Sequence, residues 1–201
     1  MILRLEEGGI VLSRISVAIL ALGLLVIVGF SLGSSSPGDT PVATRSLEEE
    51  MYFVDLIVRG TVVDQEGPFN RNAGLPEKVN FTYDVTPSIV AIEEVIYGEL
   101  DEAAITFLQH GTAKTSPETS YLETHEEVVL LLNKTEDNYY WSYMYEDGIW
   151  RVQNGIVQSK PNNPNGFLNT DSIMSTLQNQ DVDVFVKNIR RAAENRKRPE
   201  F

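Results

Sequence analysis

Residues Met51–Asp64 read MYFVDLIVRGTVVD, a run of Val, Ile and aromatic side chains interrupted once, by Gly60. β-branched and aromatic residues fit a pleated, half-buried surface, and a glycine inside such a run marks a bend or bulge. The stretch therefore predicts a strand that turns at Gly60. Downstream, residues 65–79 collect Gly67, Pro68, Asn70, Asn72, Gly74 and Pro76, a composition that predicts a loop with no regular element. Phe81–Tyr97, FTYDVTPSIVAIEEVIY, predicts a long strand broken near Pro87 and ended by Gly98. Ala104–Gln109 is a further short strand. Glu127–Asn133 carries VVLLL, apolar at every position, which predicts a strand buried on both faces.

Tyr139–Asn154 reads YYWSYMYEDGIWRVQN, with two aromatic-rich runs flanking Glu146-Asp147-Gly148. An Asp-Gly pair between such runs predicts a β-hairpin. Strand side chains alternate between faces, so Tyr139, Trp141, Tyr143 and Tyr145 are expected to share one face. After the turn-rich KPNNPNG at 160–166 the period changes to helical. Val182, Phe185, Val186, Ile189 and Ala193 recur on one stripe, and Lys187, Arg190 and Arg191 lie toward the end favoured by the helix dipole. The expected fold is mainly β (α+β): a five- to six-stranded antiparallel barrel over 47–160, followed by a loop and an amphipathic C-terminal helix within 161–201.

The order of these pieces, with its GTV strand, its long strand ending EEVIYGEL and its EEVVLLLNK strand, resembles the small OB-like β-barrel of exported or membrane-anchored prokaryotic proteins. The resemblance covers residues 53–158, and its motifs are structural. His125 stands where that pattern usually shows glycine. Netrin and tissue-inhibitor modules are similar in architecture, but their inhibitory mechanism uses cysteine, and this chain has none.

The chain has 201 residues and a net charge of −13. Residues 34–186 hold 25 acids against 8 bases, whereas 187–201 hold 6 bases against 2 acids. An acidic body is repelled by phosphate backbones, so nucleic acid is not an expected partner. Zero cysteines remove disulfides, thiolate metal sites and cysteine nucleophiles.

Residues 15–32, ISVAILALGLLVIVGFSL, carry no charge and follow Arg4 and Arg14. Eighteen helical residues reach about 27 Å, close to the hydrocarbon thickness of a bilayer. The segment is expected to be a transmembrane anchor, with residues 1–14 cytoplasmic and the body outside, or a signal cleaved near Gly33 that releases a secreted domain. Residues 33–46 have the small-polar and proline composition of a linker.

No catalytic constellation stands out. His125-Glu126-Glu127 begins like HExxH, but Val129 occupies the fifth position and the run leads into a strand. His110 reads as a solvated turn residue. The acidic clusters lack calcium-loop spacing and read as a solubilising surface. No cofactor or metal is implied. The aromatic row at Tyr139, Trp141, Tyr143 and Tyr145 is the candidate binding feature, with three readings open: core packing, a patch for a cell-surface protein, or a platform for a glycan. The functional expectation is a noncatalytic extracytoplasmic binding module; the alternative is a cysteine-free exported enzyme or hydrolase inhibitor whose site lies outside these motifs.

Overall fold

A computed structural model describes residues 45–72, 81–159 and 173–200. The expected cytoplasmic segment and anchor, nearly all of the linker, and the 160–166 loop lie outside the described residues. Among the described residues, no helix is long and apolar enough to cross a membrane.

The domain opens with a short helix, α1 (Leu47–Glu50), capped by Ser46 in a capping box with Glu49. Eight strands follow: β1 (Leu56–Gln65), β2 (Phe69–Asn72), β3 (Thr82–Tyr97), β4 (Ala104–His110), β5 (Glu127–Lys134), β6 (Tyr140–Ser142), β7 (Ile149–Gln153) and β8 (Ile156–Gln158). Helix α2 (Val182–Glu194) closes the domain, with the Asp181 side chain accepting from the backbone N–H groups of Asp183 and Val184. Five strands form a closed barrel in the order β1-β3-β4-β6-β5, with β5 pairing back to β1. A closed small barrel was expected and is present, but the expected antiparallel pairing is corrected at one seam: β4 and β6 run parallel, at Phe107↔Tyr140 and Leu108↔Trp141. The barrel is thus mixed, and its closure is consistent with an OB-like architecture.

Closure depends on β1 pairing along both edges, with β3 on one side and β5 on the other. The β1–β3 register slips between Arg59 and Gly60, where the sequence places its bend. A Cβ on Gly60 would lie 2.2 Å from the Ala91 carbonyl oxygen of β3, so only glycine admits that approach.

The apolar run of β5 serves two cores. Val128, Leu130 and Leu132 point into the barrel and join side chains from all the other barrel strands, among them Val58, Val90, Phe107 and Tyr140. Val129 and Leu131 point the other way, toward α2, where Trp150 and Phe185 meet with ring centroids 4.7 Å apart. Each of these five β5 residues is fully buried, as a strand between two packed layers requires. Arg151 is also buried, its Nη2 donating to the Ser120 carbonyl at 2.6 Å and its Nε 3.3 Å from a Glu126 carboxylate oxygen. It fastens the long loop between β4 and β5 to the barrel.

Three local expectations are corrected. Residues 69–72 form a strand, β2, because the first residues of β3 extend past β1 and offer a free edge. β3 is continuous through Pro87, which sits where its pairing passes from β1 (Gln65↔Ser88) to β2 (Phe69↔Val85); a residue without an N–H is tolerated at such a junction. The Tyr139–Asn154 hairpin does not form. β6 and β7 instead lie in sequence along one edge of β5, with Leu132 pairing Ser142 and Leu130 pairing Ile149, while residues 143–148 leave the sheet between them. The hairpin in this region joins β7 to β8, and its turn is Asn154-Gly155, with φ of +54° and +77°. Two consecutive positive φ values define the turn type that Asn-Gly favours most.

Gly60→Ala is expected to destabilise the domain by about 2 kcal/mol in chemical denaturation, within the usual range for overpacking. Gly67→Ala, with no atom near its added Cβ, should change stability by less than about 0.5 kcal/mol.

Candidate functional site

The excursion at residues 143–148 builds a cleft. β4 and β6 pair only at Phe107 and Leu108, and beyond that point β6 turns away from β4. The gap is a cavity of about 270 Å³, lined by Phe107, Leu108, Gln109 and His110 of β4, by Trp141, Ser142, Met144, Tyr145, Glu146 and Ile149 from β6 to the start of β7, and by Thr119 of the β4–β5 loop. That volume lies just below the usual range for small-molecule pockets and suits one or two side chains or a single ring.

The backbone that makes this wall is unusual. Met144 and Tyr145 both have positive φ, +47° and +56°, and neither is a glycine. Consecutive residues in that region are costly and persist only where their surroundings hold them there. Several contacts do so. The Ser142 hydroxyl donates to the Tyr145 carbonyl, the Ser159 hydroxyl to the Glu146 carbonyl at 2.9 Å, and the Trp150 indole N–H to the Asp147 carbonyl at 2.9 Å. Tyr143 turns inward and donates its hydroxyl to Glu50. The outcome is that Met144 and Tyr145, 56% and 74% exposed, project at the rim of the cleft.

A ring cluster extends from the cleft across the barrel surface. His110 stacks on Trp141, with centroids 4.3 Å apart and planes 18° from parallel. Tyr145 lies 5.6 Å from His110 on one side, and Tyr83 lies 5.1 Å from His110 and 6.2 Å from Trp141. The Arg71 guanidinium sits 5.7 Å from the Trp141 ring and 5.4 Å from Tyr139, and donates to Asp137 at 2.7 Å. Phe69 on β2 packs against Tyr139.

Of the four aromatic residues singled out, Tyr139, Trp141 and Tyr145 therefore meet in one surface cluster through Arg71 and His110. Tyr143 does not join them; it is 6% exposed and packs in the core beneath α2. The alternation expected for one strand is lost because β6 ends at Ser142. His110 is exposed, as a solvated residue would be, but it ends β4 rather than lying in the turn, and it is the centre of the ring cluster. Its place opposite Trp141 comes from the parallel β4–β6 pairing, which no local pattern announces. The Asn154-Gly155 dipeptide was the available clue that Asp147-Gly148 is not the hairpin turn. His125 has φ of +74°, a backbone region that glycine enters at no steric cost.

Electrostatically the cleft is neutral to negative. Burial lowers the His110 pKa, so its imidazole is uncharged at neutral pH. The Tyr121 hydroxyl, which donates to the His110 carbonyl at 2.9 Å, has its pKa raised by burial, with Glu118 and Glu146 both adding to the rise. Behind the wall, burial and the proximity of Glu50 push the Asp147 carboxyl up to about 6. Burial also raises the Tyr143 hydroxyl, reinforced by the Glu50 carboxylate it donates to. Among the described residues, no group of three His, Asp or Glu side chains converges as a metal site would require.

No protein-family model matches this sequence, and comparison with curated proteins returns no significant match.

Asp147→Asn should reveal the acid behind the wall. Because the folded pKa is raised, the stability of the protonated form is fully present below the unfolded pKa of about 3.9 and is lost as pH rises through about 6. Discounted for partial exposure, the substitution should raise stability by about 1 kcal/mol at about pH 7.5 and leave it unchanged at about pH 3.5, read from melts at both values.

Proposed function

We propose that this chain is a noncatalytic binding module that captures a protein partner on the outer side of a membrane. The carrying observation is the backbone at Met144 and Tyr145. Two non-glycine residues are held at positive φ so that two large apolar side chains stand at the rim of a cleft. A strained, braced presentation of exposed apolar groups is a feature that folding alone would not call for, and such strain clusters at functional sites. Methionine adapts to varied surfaces and tyrosine offers a large rigid contact at low entropy cost, so the pair is suited to a protein surface.

The same geometry argues against a glycan platform. The Trp141 indole is already engaged by stacked His110 and by the Arg71 guanidinium, which leaves less of its face for a sugar ring. The placement outside a membrane is supported by the uncharged run at residues 15–32 behind Arg4 and Arg14, by the linker composition that follows, and by the likeness to OB-like exported domains. On this reading the chain is either tethered by that run or secreted after cleavage near Gly33.

The test is photo-crosslinking in cells carrying the full chain, with a benzophenone amino acid at position 144 or, as a control, at the exposed Val184 on α2. A discrete adduct from position 144 alone is expected, lost in Tyr145→Ala. The Tyr145→Ala melt should move by less than about 0.5 kcal/mol, as for other exposed substitutions. Equal adducts from both positions, or none from 144, would reject the cleft as the contact.

A further inference from the structure

We propose that the group this cleft accepts is a cationic side chain, lysine or arginine, carried on an extended segment of the partner. The proposal rests on the protein-binding reading above and specifies the chemistry of what is bound.

The lining has the three parts such a side chain needs. Phe107, Leu108 and Ile149 form an apolar floor for a methylene stem, since long cationic side chains bury their stems and keep the charge at a polar boundary. Tyr145, exposed at the rim and tilted against His110, presents a ring surface beside the cavity, and a cation near such a ring is attracted by its quadrupole. Glu146 is the carboxylate among the lining residues, and no Lys or Arg is among them.

A second carboxylate, Glu118, adjoins the lining residue Thr119 in the chain. Glu118 and Glu146 both bear on the Tyr121 hydroxyl, which is bonded to the backbone of His110 in the cleft wall. Arg71, the cation of the neighbouring ring cluster, is committed to Asp137 at 2.7 Å. The surrounding body is itself acidic, with 25 acids against 8 bases over residues 34–186. A negatively charged body with an apolar, ring-lined cleft is complementary to a basic segment, which such a field would also steer toward it.

The experiment uses the full chain in detergent and four fluorescent nonapeptides of alternating serine and glycine that differ only at the central residue: lysine, arginine, norleucine or glutamate. Norleucine keeps an aliphatic stem close in length to that of lysine and lacks the ammonium. Fluorescence anisotropy should show the lysine and arginine peptides binding at least about tenfold tighter than norleucine, a difference of about 1.4 kcal/mol. The glutamate peptide should be the weakest. The double variant Glu118→Gln/Glu146→Gln should bring lysine down to the norleucine level and leave norleucine unchanged, with its melt checked to show that it folds. Tyr145→Ala should weaken both.

Norleucine binding as tightly as lysine would overturn the cationic assignment and leave the protein-binding reading standing. Lysine and arginine peptides that fail to bind a folded chain would also overturn it, and crosslinking from position 144 would then decide whether the broader reading fails with it. A lysine preference unaltered in the double variant would reject the two carboxylates as its source.

Discussion

The barrel exists because β1 can be paired along both edges at once. A strand that pairs with β3 on one side and β5 on the other must curve, and the curve is set at Gly60, where the β3 backbone comes too close for any side chain. With that approach in place, β5 is brought between the barrel interior and α2, and its uninterrupted apolar run becomes necessary. Val128, Leu130 and Leu132 fill one core while Val129 and Leu131 fill the other. Were the bend lost, the β1–β5 pairing would open and both cores would lose their shared wall.

The candidate site is a by-product of how the second edge of β5 is divided. One edge accommodates β6 and then β7, and the residues between them are forced out of the sheet. Elsewhere such a segment would be a mobile loop. Here hydroxyl and indole donors satisfy its carbonyls one by one, from Ser142, Ser159 and Trp150. A buried polar group without a partner costs more than the bond itself is worth, so each contact also holds the excursion in one shape. Rigidity of this kind is what turns an irregular segment into a presented surface, because little ordering entropy is left to be lost on binding.

The elements legible in the sequence were those whose signals are local. The Gly60 bend, the doubly buried β5 and the amphipathic stripe of α2 all follow from side-chain periodicity and from one residue without a Cβ. The aromatic row was legible as chemistry but not as geometry. Period-two alternation assigns Tyr143 to the same face as Trp141 only if the strand continues, and β6 stops at Ser142. Tyr143 accordingly falls into the core, and His110, from a strand about 30 residues earlier, takes its place beside Trp141. Asp147-Gly148 had the form of a hairpin turn, yet Asn154-Gly155, with both residues at positive φ, is the one that reverses the chain.

Residue identity and spacing alone determined that this is an acidic, cysteine-free, mainly β chain with a glycine-bent first strand, a central strand buried on both faces and a closing amphipathic helix. These properties depend on which side chains can be buried and on how often they recur, and both are written along the chain. Only the tertiary structure decided that β4 meets β6 in parallel, that β6 and β7 share an edge of β5, and that Trp141, His110 and Tyr145 surround one cleft. Strand pairing joins residues distant in sequence through backbone groups that every residue carries alike. The pairing is therefore chosen by the packing of the whole barrel, and a site assembled across its seam appears only when that packing is complete.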